Sequence, residues 1–147
     1  MLFRSTGLYV YSLLRALVEF EACEVTVSYD GGQYRGRILL LATANAPSYG
    51  GGMRIAPMAE TDDGQMDLVM VGAMPRWKLL WCFPEVFSGR HVSRREVTCL
   101  RATRARIEAE RPLEIFADGE YAGTTPAEVA LLPGGLRVIV PGKGELL

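Results

Sequence analysis

The stretch CEVTVSYDGG, residues 23–32, decides the fold class. Apolar and polar side chains alternate from Cys23 to Tyr29, which is the two-residue period of a strand with one buried face. Asp30-Gly31-Gly32 then supplies residues that tolerate the backbone angles of a tight turn. Gln33 to Arg37 starts a return strand, so this stretch predicts a β-hairpin.

Strand patterns continue on the C-terminal side of this hairpin. Ile38 to Ala44 is continuously apolar and predicts a central strand. Turn residues such as Pro112, Asp118-Gly119 and Pro133-Gly134-Gly135 separate the later strands. Those strands are predicted at Met66–Val71, Val97–Thr103, Ala105–Ala109, Leu113–Ala117, Ala127–Leu132 and Leu136–Val140.

Two helices are predicted among the strands. Leu8 to Phe20 is apolar except for a narrow polar stripe at helical spacing. The second helix begins at Pro75, kinks at Pro84 and ends at Gly89. Its apolar side chains are interpreted as core, and they are Trp77, Leu80, Trp81, Val86 and Phe87. The whole pattern predicts a mainly β protein, an antiparallel β-sandwich with about two added helices.

Composition bounds the class of protein. The 147 residues favour one domain, residues 1–147, and 49% of them are apolar, which argues against disorder. Sixteen Lys and Arg residues nearly balance seventeen Asp and Glu residues, so no basic field indicates a nucleic-acid partner. The three cysteines form no C-x-x-C pair, which favours reduced thiols in a cytoplasmic protein. No apolar run approaches the roughly 20 residues that span a bilayer.

Three local motifs carry reactive or permissive groups, and each has a purely structural alternative. The loop Gly50-Gly51-Gly52 lets backbone approach a ligand closely, or forms a tight turn. Glu60, Asp62, Asp63 and Asp67 offer hard oxygen ligands for Mg²⁺ or Ca²⁺, or form a solvated acidic turn. Asp118-Gly119-Glu120 presents a carboxylate that can accept a proton from a hydroxyl group, or is an ordinary hairpin turn.

The order of these motifs resembles that of the diacylglycerol kinase-like lipid kinases. Residues 45–59, NAPSYGGGMRIAPMA, are similar to that family's N-x-x-x-x-G-G-G-x-x-x-x-P-x-A stretch. Residues 63–68, DGQMDL, are similar to its D-G-x-L-D-L turn, with Met66 in place of leucine. Gly89-Arg90-His91 resembles its G-x-H, and residues 118–120 match its D-G-E. The resemblance extends from the first hairpin to about Pro141.

The resemblance implies a role for each matching residue. Asp118 matches the position proposed as general base on the lipid hydroxyl, and Glu120 supports it in the same motif. A structural Mg²⁺ site is implied at the acidic turn, held by Glu60, Asp63 and the backbone carbonyl of Gln65. The residues implied to face an interdomain cleft are Asn45, Gly50, Gly51 and Gly52.

The family has two domains, and its N-terminal nucleotide-binding domain carries a G-G-D-G-T motif that this sequence lacks. We therefore expect the chain to be the C-terminal half alone and to be catalytically silent by itself. ATP is implied as phosphate donor only in a full-length protein. The implied partner is a lipid at a membrane surface, which makes the protein cytoplasmic with peripheral membrane contact, and an exposed interdomain face could pair two copies.

Two alternatives stay open at this point. The lipid substrate could be diacylglycerol, a sphingoid base or phosphatidylglycerol, because an acyl-chain pocket is made of ordinary apolar residues. The chain could also be a non-catalytic, metal-stabilised β-sandwich that binds a ligand or a partner.

Overall fold

A computed structural model of the chain describes residues 21–49 and 51–136. The strands in this part are Cys23–Tyr29 (β1), Gly32–Ala44 (β2), Met66–Gly72 (β3), Val97–Ala102 (β4), Arg104–Ala109 (β5), Glu114–Ala117 (β6), Glu120–Thr124 (β7) and Ala127–Ala130 (β8). The helices are Arg76–Cys82 (α1), Glu85–Ser88 (α2) and a 3-10 turn at Arg90–Ser93. The helix predicted at 8–20 lies outside the described residues, as does the last predicted strand beyond Leu136.

Six strands form one antiparallel sheet in the order β4-β3-β2-β1-β5-β8, and β6 pairs with β7 in a separate hairpin. The hairpin predicted from residues 23–32 is confirmed, with Val25 opposite Gly36 and Tyr29 opposite Gly32. The strand β2 is long enough to pair with β1 over its first half and with β3 over its second half. A register shift between Ile38 and Leu40 marks the change of partner.

The six-stranded sheet curls over itself. In a flat sheet, β4 and β5 would lie four strand spacings apart, which is about 19 Å. Only Thr103 connects them, and one intervening residue spans about 7 Å at most. The run from Val97 to Ala109 therefore passes from one layer into the other at a corner, as strands do in β-sandwiches. The predicted antiparallel β-sandwich with added helices is confirmed.

Asp30 fixes this corner from the first hairpin turn. Its carboxylate accepts hydrogen bonds from the backbone N–H and the hydroxyl group of Thr103, and from the backbone N–H of Arg104 at 3.1 Å. The bond from the Thr103 backbone is the main reason that the pKa of Asp30 lies below its usual value. A turn that looked purely local in the sequence thus holds the two layers together.

Two apolar clusters lie on opposite faces of strands β2 and β3. The inner cluster fills the space between the layers and consists of Val25, Val27, Ile38, Met66, Leu68, Met70, Ala102, Ala105 and Ile107. The outer cluster lies under the loop at 53–59 and consists of Ala42, Ala44, Met53, Ile55, Ala56, Ala59 and Val69. Phe83 and Val86 pack against the outer cluster, so the helical segment covers the sheet on that side.

The interpretation of the second helix as a buried aromatic face is wrong in part. Pro84 and Gly89 interrupt and end the helical segment as predicted. Cys82 is the buried residue of α1, whereas the side chains of Trp77 and Trp81 are 71% and 77% exposed. The segment carries apolar residues on both faces, and the face with Cys82, Phe83 and Val86 packs on the sheet.

No helix in the described part of the chain is both long and apolar enough to span a bilayer. The three cysteines are free thiols, with Cys23 and Cys82 buried and Cys99 half-buried.

Candidate functional site

The loop that follows β2 exposes Asn45 and then turns back on itself. Tyr49 and Met53 exchange backbone hydrogen bonds of 3.0 and 3.1 Å, which closes the loop as a small bridge. Gly51 and Gly52 have φ values of 78° and 92°, a conformation that favours glycine. A Cβ at Gly52 would meet no atom of the described residues within 4 Å. Gly50 lies outside the described residues.

The acidic turn before β3 is held by its own backbone and by an arginine from β4. The backbone N–H of Gln65 donates to Asp63 Oδ1 at 2.9 Å, and Arg101 donates to Asp63 Oδ2 at 2.6 Å. Glu60 is exposed to solvent. No group of three metal-ligating side chains occurs among residues 21–49 and 51–136.

Asp67 is a buried carboxylate, although the sequence analysis placed it with the acidic residues of a metal-binding or solvated turn. Its side chain is 1% exposed, and neither carboxylate oxygen has a hydrogen-bond partner in the described structure. Arg101 Nε lies 3.5 Å from Oδ1, which is ion-pair distance but too long for a strong hydrogen bond. Burial raises the pKa of Asp67, and Arg101 partly opposes that rise. A carboxylate buried this way at the end of a sheet is typical of functional sites.

The strand register brings the loop that begins at Asn45 and the Asp63 turn to the same end of the strands, which we call the sheet edge. Ala44, which precedes Asn45, pairs with Asp67, and Asp67 pairs in turn with Arg101. Asn45 follows the end of β2, and the Asp63 turn precedes the start of the neighbouring strand β3, so the two lie at the same end of these strands. Arg101 contacts both acidic residues there, so it neutralises part of their charge.

His91, the histidine of the G-x-H stretch, is buried and links two segments of the fold. Its Nε2 lies 3.0 Å from the carbonyl oxygen of Ile55, which ties the 3-10 turn to the loop at 53–59. Burial lowers the pKa of His91, so the neutral ring is favoured. The neutral ring then donates its Nε2–H to Ile55.

The Asp118-Gly119 turn forms the tip of the β6–β7 hairpin. Asp118 has φ of 50° and Gly119 has φ of 91°, the pair of positive angles of a type I′ turn. Asp118 and Glu120 are both exposed, and no described residue donates a hydrogen bond to either carboxylate. The base of the hairpin is fixed by Leu113, whose N–H donates to Thr125 Oγ1 at 3.0 Å.

The structure brings some of the predicted site residues together and leaves others apart. Asn45 and the Asp63 turn share an edge of the large sheet, whereas Asp118 and Glu120 stand on the separate hairpin. Within the described residues, no hydrogen bond or ion pair joins these two groups. Arg101 completes this group beside Asp67, and only long-range strand pairing reveals the place of Arg101 there.

Known proteins are similar to this chain in sequence and in fold. Residues 2–140 match the family described as the YegS C-terminal NAD kinase beta sandwich-like domain. The chain belongs to this family.

Several named relatives are diacylglycerol kinases. The diacylglycerol kinase of Mycobacterium tuberculosis is 35% identical over 137 residues, which are 92% of this chain and 44% of that protein. The diacylglycerol kinase of Bacillus subtilis is 25% identical over 128 residues, which are 87% of this chain and 42% of that protein. The chain thus spans less than half of the length of these relatives.

The crystal structure of a diacylglycerol kinase from Bacillus anthracis has the same fold. It superposes with a TM-score of 0.67 at 25% identity, over 84% of this chain and 43% of that chain. The predicted resemblance to the C-terminal domain of diacylglycerol kinase-like lipid kinases is confirmed.

Proposed function

We propose that this chain is the lipid-facing, base-carrying part of an ATP-dependent kinase that phosphorylates a lipid hydroxyl group. The observation that carries the proposal is the carboxylate of Asp118, which is exposed at the tip of a type I′ turn. The family and the names of the relatives support the same chemistry.

The proposed reaction uses Asp118 as general base. A carboxylate within about 2.6–3.2 Å of the lipid hydroxyl accepts its proton while the hydroxyl oxygen attacks the γ-phosphorus of ATP. The bond to the β–γ bridging oxygen breaks and ADP leaves, so the products are a phosphorylated lipid and ADP. Glu120 stands two residues away in the same motif and is proposed to support it.

ATP is proposed to bind on a domain that this chain does not contain. Relatives are more than twice as long as the matched region, which leaves room for a nucleotide-binding domain. Phosphoryl transfer depends on positioning the donor against the acceptor, so both domains are needed. Asn45 and the loop at Gly50–Gly52 are proposed to face the cleft between them, and Asn45, Gly51 and Gly52 are exposed to solvent.

We also propose that a magnesium ion binds at the acidic turn. The residues present there fit such an ion in part. Each carboxylate oxygen of Asp63 accepts one hydrogen bond, which leaves lone pairs for a cation. The Arg101 guanidinium, however, already supplies positive charge at this carboxylate. Glu60 and the backbone carbonyl of Gln65 are the remaining proposed ligands, and no catalytic step is assigned to the ion.

A thermal-melting titration tests the proposed ion. We expect millimolar Mg²⁺ to raise the melting temperature of the wild-type chain, because a ligand that binds only the folded state stabilises it. Asp63→Asn should abolish that increase, and the exposed Glu114→Gln should leave it unchanged. An identical increase in the wild-type chain and in Asp63→Asn would exclude the turn as the ion site.

The kinase proposal is tested in a protein in which this chain follows a nucleotide-binding domain, either its own or that of the M. tuberculosis relative. Transfer of labelled γ-phosphate to diacylglycerol, a sphingoid base and phosphatidylglycerol would be measured in mixed micelles. We expect transfer to one of the three lipids. A folded, ATP-binding protein that phosphorylates none of them would contradict the proposal and favour a non-catalytic binding module.

A further inference from the structure

The outward face of the helical segment is an unusual surface for a water-exposed domain. Trp77 and Trp81 lie one helical turn apart on α1, so both indole rings stand on the same face. Leu80 is 39% exposed and Phe87 45% exposed along the same segment. We name these four residues, Trp77, Leu80, Trp81 and Phe87, the aromatic face.

The aromatic face is held rigidly against the sheet by the opposite side of the segment. Cys82 is buried, and Phe83 and Val86 pack against the outer apolar cluster. Phe83 and Phe87 meet edge to face, with ring centroids 5.8 Å apart. Because the inner face is already packed, the exposed side chains cannot turn inward to form core without breaking these contacts.

The segment that carries the aromatic face is rich in cationic residues. Residues 75–96 contain five cationic and two acidic side chains, whereas the whole chain has a net charge of −1. The cationic residues are Arg76, Lys78, Arg90, Arg94 and Arg95.

Both acids of this segment are engaged by ion pairs. Arg94 holds Glu85 in a two-bond pair, and Lys78 and Arg95 both pair with Glu96. Arg76 and Arg90 are exposed and form no ion pair with any other described residue. The segment that carries the two tryptophans therefore has cationic side chains that no described acid pairs.

This combination matches the chemistry of one partner, the surface of an anionic lipid bilayer. Tryptophan favours the interface between lipid headgroups and hydrocarbon, where its ring is apolar and its N–H remains hydrated. Arginine and lysine beside it are attracted to anionic headgroups. A protein partner is an outcome of the test below, and the excess of cationic side chains in this segment favours the anionic bilayer.

We propose that the aromatic face docks the chain on an anionic membrane, with Trp77 and Trp81 inserted at the headgroup level and Arg76 and Arg90 against lipid phosphates. The nature of the partner rests on the proposed function, since a lipid kinase must meet its substrate at a bilayer. Docking itself involves no turnover, so it can be measured separately.

The chain contains only two tryptophans, and both are in the aromatic face. Intrinsic tryptophan fluorescence therefore reports on this surface alone. On adding phosphatidylglycerol-containing vesicles to the purified chain, we expect a blue shift of emission and quenching by brominated acyl chains. Phosphatidylcholine vesicles should produce a much smaller change, and high salt should reverse binding.

Vesicle co-sedimentation tests the residues. The double variant Trp77→Ser/Trp81→Ser should bind anionic vesicles at least about tenfold more weakly, because two indole rings no longer enter the interface. Arg76→Gln and Arg90→Gln should each weaken binding about fivefold. Leu132→Ser is the matched control, because Leu132 is 79% exposed but lies outside the helical segment. All these side chains are exposed, so melting temperatures should stay close to that of the wild-type chain.

Several results would overturn the proposal. They are absence of binding to anionic vesicles, undiminished binding of the double tryptophan variant, and an equal loss in Leu132→Ser. A blue shift that depends on protein concentration without vesicles would assign the face to a second copy. A blue shift produced by a fused nucleotide-binding domain would assign it to that domain. Lipid phosphorylation in detergent micelles does not need docking, so failure of docking and failure of the kinase proposal are distinguishable.

Discussion

Asp118 combines a positive φ with an exposed carboxylate, and this makes a selective substitution available. Asparagine tolerates this backbone conformation nearly as well as aspartate does, so Asp118→Asn keeps the turn and removes the charge. In a protein that also carries a nucleotide-binding domain, we expect lipid phosphorylation to fall by about 10²- to 10⁴-fold, the usual contribution of a general base. Initial rates at saturating ATP measure this, and the melting temperature should not change.

Glu114→Gln is the control for that experiment, because it removes an exposed carboxylate from the same hairpin. It should leave the rate close to that of the wild-type protein. Near-normal turnover in Asp118→Asn, or an equal loss in Glu114→Gln, would exclude Asp118 as the base.

Single residues were predictable where the controlling information is local. The turn at Asp118-Gly119 follows from two adjacent residues, and the structure confirms it. The exposure of Trp77 and Trp81 did not follow, because α1 has apolar side chains on both faces and the distant loop at 53–59 decides which face packs. The burial of Asp67 was also missed. Alternation along β3 places Asp67 on the side opposite Leu68, but both faces of this strand are covered by parts of the chain that are distant in sequence.

At the scale of elements, Gly89 connects the helical segment to the loop at 53–59. It has φ of 76°, and an added Cβ would lie 2.9 Å from the Cβ of Pro57. Gly89→Ala therefore adds a steric clash to an unfavourable backbone conformation. We expect it to lower the free energy of unfolding by about 2 to 4 kcal/mol, measured by urea denaturation.

Gly31→Ala separates the two causes. Gly31 has φ of 87°, but a Cβ there would meet no atom within 4 Å. It should cost only about 1 kcal/mol, the backbone contribution alone. Equal losses for the two variants would show that the contact with Pro57 is unimportant.

The corner between β4 and β5 depends on a charged carboxylate. Hydrogen bonds from Thr103 hold the pKa of Asp30 below its ordinary value of 3.8. A lowered pKa in the folded state means that the ionised group stabilises the fold above pH 3.8, and that this stability is lost as pH falls through the lowered pKa. We expect Asp30→Asn to lower the melting temperature at pH 7, with a difference that shrinks as the pH drops below 3.8.

Asp62→Asn is the comparison for Asp30→Asn. Asp62 is exposed and forms no hydrogen bond or ion pair with any other residue that the structure describes. Its substitution should leave the melting temperature close to that of the wild-type chain at every pH. A loss in Asp30→Asn that is the same at pH 7 and at pH 3 would mean that charge is not what holds the corner.

At the scale of the whole molecule, we expect the chain alone to fold and to be catalytically silent. The proposed base and the proposed cleft residues are present, but the proposed phosphate donor binds elsewhere, so the acceptor has nothing to attack. Purified chain incubated with ATP, Mg²⁺ and diacylglycerol in micelles should form no phosphorylated lipid above background. ATP-dependent product formation by the chain alone would show that it carries its own nucleotide site.

The architecture was predictable only as a class. Strand periods and turn residues predicted the antiparallel β-sandwich, because each of them is a property of neighbouring residues. The corner at Thr103 is held by Asp30, which is 73 residues away in sequence. Asp63 pairs with Arg101, which is 38 residues away. No local pattern encodes such pairings, so the sheet-edge group of the candidate site could not be assembled from sequence.

The curled sheet has no boundary at which one layer could separate from the other. Both β2 and the run from Val97 to Ala109 belong to the two layers at once, so neither layer can open while the other keeps all of its ladder hydrogen bonds. Regions that open independently exchange their amide hydrogens at different rates. Here the central amides of both layers should exchange with deuterium together, through a single cooperative opening, and among the described strands the separate β6–β7 hairpin can exchange ahead of them.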